Sequence, residues 1–359
     1  MHVRRLLASG AVIGLMLAAA APVAAHGSTA SHPPKDARYT VTTLVTGPSP
    51  DADLVNGWGL SRSPTSPWWV ADNGTDLSTL YTADGTKLGL RVSIPDGAPT
   101  GTVFNPGNAA GDFNGDLFLF DGESGTIFGW RGALGTTAEV LNDDFAGSAV
   151  YKGLAIGTAD VGSGAQQYLY ATDFHNGRVA VFDRTGAAQT WTGAFTDPKL
   201  PKGYAPFGIQ NLNGMLFVTY AKTQTGSDDE KAGRGRGFVD AFATNGTFLG
   251  RVASRGQLNA PWGLAWAPSD FGRFSGDLLV GNFGDGHINA YRWDGKHWHA
   301  HGTLRDSHGH KVAIDGLWAI AFGGGVNIAN DGAANTLFFT AGPDDESAGA
   351  FGTVTANVP

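Results

Sequence analysis

Apolar and polar positions alternate in short runs along most of the chain, and turn residues separate one run from the next. The clearest example is 206–252, where PFGIQNL, MLFVTYAK, GFVDAFA and TFLGRV follow one another. Asn213-Gly214 separates the first two runs, and Thr244-Asn245-Gly246 separates the last two. A period of two with Asn-Gly turns is typical of antiparallel hairpins. This segment is therefore predicted to form four short antiparallel strands.

A short motif of an aromatic or apolar residue, a glycine and an apolar residue recurs along the chain. The copies are Trp58-Gly59-Leu60, Gly153-Leu154-Ala155, Phe207-Gly208-Ile209, Trp262-Gly263-Leu264 and Gly316-Leu317-Trp318, with a weaker copy near Phe104. The later copies are about 54 residues apart, which suits one propeller blade of four strands better than one solenoid coil. The sequence therefore predicts an all-β fold, a six-bladed β-propeller.

The two ends of this domain are predicted to share one blade. The last unit supplies only three strands, LWAIAFGG, NTLFFTA and AFGTVTANV. The β-branched run that starts at Arg38 has no partner in its own neighbourhood. It is therefore predicted to become the outermost strand of the last blade, which closes the ring and protects a sheet edge.

The first residues are typical of an export signal. Arg4 and Arg5 precede a moderately apolar run, and Val23-Ala24-Ala25 matches a small-residue cleavage site. Cleavage is expected after Ala25, by the Sec or the twin-arginine route, and gives a secreted, extracellular and soluble protein. The predicted segments are a signal peptide at 1–25, a flexible segment at 26–37 and a single propeller domain at 38–359. No later run approaches the ~20 apolar residues of a transmembrane helix, so none is expected.

Composition narrows the classes of partner and chemistry. The formal charge is −8 without a basic stripe, which makes nucleic acid and anionic membranes poor partners. The absence of cysteine excludes thiol catalysis and leaves core packing as the source of stability. The sequence contains no Gly-x-Ser-x-Gly elbow, HExxH motif or phosphate-binding loop. The chain is expected to be a monomer.

Polar residues cluster in the loops that a propeller brings to one end of its central channel. These loops join the second strand of a blade to the third, or one blade to the next. The ligand-binding candidates are Asp173, His175, Tyr204, Asn259, Asn282 and Asp315. The same set of loops contains Asn73, Glu123, Lys152 and the segment from Asp344 to Glu346. The sequence therefore predicts a polar ring around the channel.

The oxygen-rich members of this ring are candidate ligands for a hard cation. Calcium takes about six to eight oxygen ligands from carboxylates, amides and carbonyls. The metal candidates are Asn56, Asn105, Asp173, Asn259, Asn282 and Asp315. Asn and Asp are also the preferred turn residues, so turn formation is the alternative explanation. Calcium is therefore one hypothesis, and the absence of any cofactor is the other.

Three histidines alternate along another segment, His297, His299 and His301. This spacing puts them on one face of a strand, where they could bind zinc, copper or nickel. The strand is predicted to be the outer one of blade five, far from the channel. A solvated strand edge is therefore the preferred interpretation.

Several longer phrases resemble an uncharacterised bacterial family of conserved hypothetical exported proteins with an NHL-like six-bladed propeller. They are GYAPFGIQN (203–211), LNAPWGLA (258–265), LLVGNFGDGHINAY (278–291), AIDGLWAIAFG (313–323) and LFFTAGPDDESAGAFG (337–352). The resemblance covers nearly the whole chain after the export signal and implies the fold and export, but no activity. At the level of architecture alone, the fold is also similar to calcium-dependent lactonases of the gluconolactonase and paraoxonase type.

These observations favour a binding module whose channel loops meet a small molecule, a glycan or a protein. The alternative is a lactonase-like, calcium-dependent hydrolase with its metal at the end of the channel. Side chains that converge at ligand distance would favour the hydrolase, whereas aromatic residues such as Tyr204, Phe207 and Trp262 around the channel would favour binding.

Overall fold

The alternating runs form six sheets of four antiparallel strands in the computed structural model, which describes residues 38–143, 148–162 and 164–357. The predicted all-β, six-bladed propeller is therefore confirmed. Strand β1 (Arg38–Gly47) comes first in the chain and belongs to the sixth blade. The predicted signal peptide, its cleavage site after Ala25 and the segment 26–37 lie outside the described residues.

The remaining strands follow in blade order, from the inner strand of each sheet to the outer one. Blade one has β2 (Gly57–Ser61), β3 (Trp68–Asp72), β4 (Leu77–Tyr81) and β5 (Lys87–Ser93); blade two has β6 (Pro99–Phe104), β7 (Phe118–Gly122), β8 (Thr126–Trp130) and β9 (Glu139–Asp143). Blade three has β10 (Tyr151–Asp160), β11 (Ala165–Asp173), β12 (Arg178–Asp183) and β13 (Ala188–Gln189); blade four has β14 (Tyr204–Leu212), β15 (Met215–Lys222), β16 (Gly237–Ala243) and β17 (Phe248–Ser254). Blade five has β18 (Pro261–Trp266), β19 (Leu278–Asn282), β20 (Ile288–Trp293) and β21 (Trp298–Thr303); blade six has β22 (Leu317–Phe322), β23 (Leu337–Ala341) and β24 (Gly349–Asn357).

Ring closure occurs as the sequence predicts. Strand β1 pairs antiparallel with β24, from Arg38 opposite Asn357 to Gly47 opposite Gly349. The buried Tyr39 donates its hydroxyl hydrogen to the Phe271 carbonyl, 3.1 Å away, and so ties β1 to the neighbouring blade five. The sixth blade is therefore built from both ends of the described chain.

The recurring motif is a β-bulge on the inner strand of every blade. In blade one, Gly57 pairs with Asp72 and Leu60 with Val70. Trp58 and Gly59 therefore lie opposite a single residue of β3. The same shift recurs in all six inner strands. The bulge pairs are Trp58-Gly59, Thr100-Gly101, Lys152-Gly153, Phe207-Gly208, Trp262-Gly263 and Trp318-Ala319. The predicted copies near Phe104 and at Gly316-Leu317-Trp318 were therefore out of register.

The second bulge position is small because neighbouring inner strands almost touch there. A Cβ at Gly208 would lie 2.2 Å from the Trp262 carbonyl oxygen, and one at Gly263 would lie 2.5 Å from that of Trp318. No side chain fits at such distances without a shift of the backbone. The motif is therefore a packing device that brings six strands close around the channel.

Second-strand side chains satisfy the backbone groups that the bulges release. The Thr172 hydroxyl donates to the Phe207 carbonyl at 2.7 Å, and the Thr340 hydroxyl donates to the Trp58 carbonyl at 2.5 Å. The Gly208 amide donates to the Thr219 hydroxyl at 2.8 Å. Buried backbone groups need such partners, which explains the polar residues in otherwise apolar strands.

Among the described residues, helical structure is limited to short turns, such as α1 (Ile328–Asp331) after β22. Within the ranges that the structure describes, no helix has the length and the apolar character needed to cross a membrane.

Candidate functional site at the channel mouth

Each inner strand begins at the end of the channel where the second strand of the same blade ends. This follows from the antiparallel pairing, in which Gly57 lies opposite Asp72 and Pro261 opposite Asn282. Residues just before the inner strands and just after the second strands therefore meet at one end. We call this end the channel mouth.

Aromatic side chains fill the channel at its mouth. The rings of Trp58 and Trp318 stack with centroids 3.7 Å apart, and Trp262 meets Trp318 edge-on at 6.0 Å. Phe207 lies 5.8 Å from Trp318, and all four side chains are buried. We call these four residues the aromatic plug. Phe283 stacks on Trp318 at 4.0 Å and is half-buried.

A chain of polar side chains crosses this aromatic surface. The Asn73 amide donates to Glu123 at 3.1 Å and to the Ala98 carbonyl at 3.1 Å. The Asn56 amide donates to the Asn73 side-chain oxygen at 3.1 Å and to Glu346 at 2.7 Å. The network therefore links the loops of blades one, two and six above the aromatic plug.

Lys152 supplies a cation to this network. Its side chain is 3% exposed, its ammonium binds Glu123, and its nitrogen lies 5.3 Å from the centroid of the Trp58 ring. The Lys152 carbonyl accepts a hydrogen bond from the Trp262 indole at 2.7 Å. Lys152 is the bulge residue of blade three, so the fold places an ammonium where four of the other blades place an aromatic ring and blade two places Thr100.

Two further carboxylates make the channel mouth acidic. Burial raises the pKa of the Glu230 carboxyl to about 7; the charge of Lys152 opposes this shift, and those of Glu346 and Asp229 add to it. Burial also raises the pKa of Glu346, against the hydrogen bond from Asn56, and the charge of Glu123 adds to the shift. These mutual effects show that Glu123, Glu230 and Glu346 share the surroundings of a single ammonium.

Among the predicted site residues, Asn56 belongs to this network. It is buried, its side-chain oxygen accepts from the Trp318 indole at 2.8 Å, and its amide hydrogens go to Asn73 and Glu346. Its φ of 47° is in the left-handed region, which Asn tolerates better than most residues. Asn56 therefore joins the aromatic plug to the carboxylates.

Asp173, Asn259 and Asn282 stabilise loops at the channel mouth. The Asp173 carboxylate accepts from Arg178 and from the Asn176 amide, each at 2.9 Å. The Asn282 amide donates to the Gln257 carbonyl at 2.8 Å and to Asp285 at 3.0 Å. The Asn259 side-chain oxygen accepts from the Gly233 backbone at 2.5 Å. These contacts are turn and loop interactions, as in the alternative explanation of the Asn and Asp pattern.

Tyr204, His175 and Asp315 are not part of this hydrogen-bond network. Tyr204 is half-buried against the edge of Phe238, with ring centroids 4.7 Å apart. His175 is exposed, and its hydrogen bond to Asp228 raises its pKa. Asp315 is also exposed and accepts from the Asp344 backbone at 3.1 Å. None of the three has a hydrogen bond to the carboxylates of the channel mouth in the described part of the chain.

Asn105 corrects the prediction of a single ring, because it lies at the opposite end of the channel. Strand β6 starts at the mouth, where Pro99 pairs with Gly122, and Asn105 comes after its far end. The buried Asn105 amide donates to the Asp112 and Asp116 carbonyls at 2.9 and 2.8 Å. The prediction failed because the motif copy was placed near Phe104 instead of at Thr100-Gly101.

The predicted metal ligands do not all meet at one place, because Asn105 lies at the opposite end of the channel from the others. No group of three or more His, Asp or Glu side chains at metal-binding spacing occurs within residues 38–143, 148–162 and 164–357. The side-chain oxygens of Asn56 and Asn259 already accept hydrogen bonds. Calcium binding therefore stays a prediction for these residues.

The three alternating histidines are separated by a bulge in their strand. Strand β21 is the outer strand of blade five, as predicted, but Ala300 pairs with Tyr291 and Gly302 with Ala290. His301 therefore turns inward, and its Nδ1 lies 2.5 Å from the carboxylate of the buried Asp277. The Nε2 of His299 lies 2.6 Å from the carboxylate of the exposed Asp294. The prediction of one shared face was wrong at His301.

Sequence reasoning missed Glu230 and Phe283 at the channel mouth. Glu230 follows Ser227-Asp228-Asp229 in the connection between β15 and β16, which resembles a solvated acidic loop. This connection joins the second strand of blade four to the third, and such connections reach the channel mouth. Glu230 could therefore have been predicted from its place in the blade. Phe283 directly follows β19, in the corresponding connection of blade five.

The fold and the channel mouth define a six-bladed propeller whose channel is closed by an aromatic plug beneath a carboxylate cluster. No family model matches the chain. The chain is 32% identical over 322 residues to the uncharacterized protein R648 of Acanthamoeba polyphaga mimivirus, which covers 85% of this chain and 76% of R648. It therefore belongs to the same family as R648. This relative is viral, whereas the sequence resemblance pointed to bacterial exported proteins, so bacterial kinship and export stay predictions.

Solved structures share the architecture. A structural genomics protein of unknown function from Bacteroides thetaiotaomicron superposes with a TM-score of 0.54 and 11% identity, over 90% of this chain and 77% of that one. The soluble aldose sugar dehydrogenase of Escherichia coli superposes with a TM-score of 0.52 and 13% identity, over 88% of this chain and 99% of that one. Identities this low show a common fold alone.

Proposed function

We propose that the protein is a secreted binding module whose channel mouth recognises the positively charged group of a small molecule or protein partner. The observation that carries this proposal is the unbalanced charge above the aromatic plug. Lys152 is already bound to Glu123. In the described part of the chain, Glu230 and Glu346 have no cation at ion-pair distance.

An enclosed carboxylate without a counter-ion is costly, and its raised pKa expresses that cost. An incoming ammonium or guanidinium would offset the charges of Glu230 and Glu346. The half-buried ring of Phe283 adds an aromatic face, and such faces attract cations. A neutral glycan could form hydrogen bonds here but would leave the charge unbalanced, so an organic cation is the better match.

Calorimetric titration of the full chain with agmatine, which carries an amine and a guanidinium, tests the proposal. Binding is expected at pH 8, and Glu346→Gln should weaken it about tenfold, the loss of one charge-assisted hydrogen bond. Affinity should also fall between pH 8 and pH 6, because protonation of Glu230, whose pKa is about 7, removes a negative charge.

Glu139→Gln is the matched control, since Glu139 lies on the outer strand of blade two and pairs with Arg131. It should leave the affinity unchanged. If wild-type protein binds neither agmatine nor butylamine at low salt, or if Glu346→Gln binds both as tightly as wild type, the mouth is not a cation site.

A further inference from the structure

A cavity of about 610 Å³ lies at the opposite end of the channel. It lies where the inner strands end, and its lining includes Leu60, Phe104, Gln210, Leu264 and Phe322. We call it the lower cavity. Its volume falls within the range of about 300–1,000 Å³ that is usual for small-molecule sites.

The lower cavity is closed at its deep end. A small void of about 20 Å³ continues inward, and Leu60, Thr102, Gln210 and Leu264 line both spaces. Trp262 of the aromatic plug lines this void. The plug therefore separates the lower cavity from the channel mouth, and a ligand would enter from one side.

The wall of the lower cavity contains one cation, Arg62. Its side chain is half-buried, and its guanidinium carbon lies 5.4 Å from the centroid of the Trp68 ring. Its only hydrogen bond within the described ranges goes to the Ser63 carbonyl at 3.3 Å. Burial lowers the pKa of Arg62, while the charge of Asp331 opposes that shift from beyond ion-pair distance. The guanidinium therefore retains donors for a further partner.

Other polar groups of this wall also lack partners among the described residues. The buried Trp68 indole N–H and the buried Thr102 hydroxyl have none. The Gln210 side chain forms no hydrogen bond in the same part of the chain, although its residue is half-buried. Unsatisfied buried donors are uncommon, and both of these belong to residues that line the lower cavity.

We infer that the lower cavity binds an amphipathic monocarboxylate, with its carboxylate against the Arg62 guanidinium and its hydrocarbon tail against Leu60, Leu264 and Phe322. A planar guanidinium matches a carboxylate with two parallel hydrogen bonds. One cation suits one negative charge, and the apolar lining suits an unbranched chain. Val326, at 69% exposure, also lines the cavity and offers apolar surface that a tail could cover. This site does not depend on the function proposed for the channel mouth.

Titration calorimetry of the full chain with decanoate, below its micellar concentration, tests this inference. Wild-type protein should bind decanoate, and decanoate should bind more tightly than hexanoate because the longer tail buries more apolar surface. Arg62→Gln should weaken binding about tenfold, whereas Arg62→Lys, which keeps the charge, should weaken it less. Neutral decanamide should bind as weakly to wild type as decanoate binds to Arg62→Gln.

Arg273→Gln is the matched control, because Arg273 is exposed on blade five and does not line the lower cavity. It should bind decanoate as wild type does. Circular dichroism and thermal melting establish that each variant is folded. The inference is overturned if decanoate fails to bind wild type, or if folded Arg62→Gln and Arg62→Lys both bind it with wild-type affinity.

Discussion

A single residue, Asn56, connects the two parts of the channel mouth. Its oxygen accepts from the Trp318 indole and its nitrogen donates to Asn73 and Glu346. An aspartate could accept the first bond but could not donate the others, and it would stand beside the Glu346 carboxylate. The hydrogen bonds with Trp318, Asn73 and Glu346, together with the left-handed backbone, therefore favour asparagine at position 56.

Glu230 gives a prediction about pH at the same scale. The pKa of Glu230 is about 7 in the folded protein, above the ordinary value of 4.5. The free energy of unfolding therefore keeps its full value below about pH 4.5 and falls as the pH rises through 7. Glu230→Gln should therefore stabilise the protein by about 1–2 kcal/mol at pH 8, after discounting for partial exposure, and by only a small fraction of that at pH 5.

Urea unfolding at both pH values measures this difference. Glu139→Gln serves for comparison. Burial raises the pKa of Glu139, but the hydrogen bond from Arg131 outweighs this and lowers it. Removing the Glu139 charge should therefore destabilise the folded protein at pH 8. Equal effects of Glu230→Gln at pH 5 and pH 8 would show that the Glu230 charge does not limit stability.

The inner strand is the element on which the site depends. Its bulge turns one side chain toward the channel and brings the next residue against the neighbouring blade. The same backbone thus presents Trp58, Phe207, Trp262 and Trp318 as a plug and Lys152 as an ammonium. Differences between blades at this one position create the asymmetry that a binding site needs in a pseudo-symmetric ring.

Gly208→Ala tests the packing of this element. Because a Cβ would lie 2.2 Å from the Trp262 carbonyl oxygen, we expect a loss of at least about 2 kcal/mol in the free energy of unfolding. Gly89→Ala on β5 is the control, since no heavy atom lies within 4 Å of its Cβ position. Chemical denaturation should show Gly89→Ala close to wild type; a similarly small effect at Gly208 would contradict the close approach of the inner strands.

At the scale of the whole molecule, β1 completes the ring, and its loss would leave β24 as an exposed edge. Val41, Thr42 and Thr43 pair with Val354, Thr353 and Gly352 in this contact. An unpaired edge strand invites association with another chain. Blade six would also lose the Tyr39 contact to blade five.

A chain that starts at Pro48 should therefore melt at a lower temperature than one that starts at Arg38, and it should form dimers or larger aggregates. Light scattering and differential scanning calorimetry at several concentrations measure both effects. If both chains are monomeric and melt at the same temperature, β1 does not close the ring.

The sequence by itself determined the architecture, because strand alternation, turn residues and the recurring glycine are local signals. MLFVTYAK and GFVDAFA match β15 and β16 residue for residue, and the run at Arg38 had no local partner and so pointed to ring closure. The same local signals placed Asn105 in the wrong loop, because a bulge register is set by contact with neighbouring strands. Register depends on pairing, which no single strand encodes.

Only the tertiary structure decided which polar residues act together. Asp173, Asn282 and Glu346 all lie at or beyond the ends of second strands, yet the first two stabilise their own loops while Glu346 meets Asn56 from far away in the chain. Glu230 belongs to a segment of several acids, and only its enclosure near Lys152 distinguishes it. A turn residue and a site residue have the same local chemistry, and long-range convergence and burial separate the two.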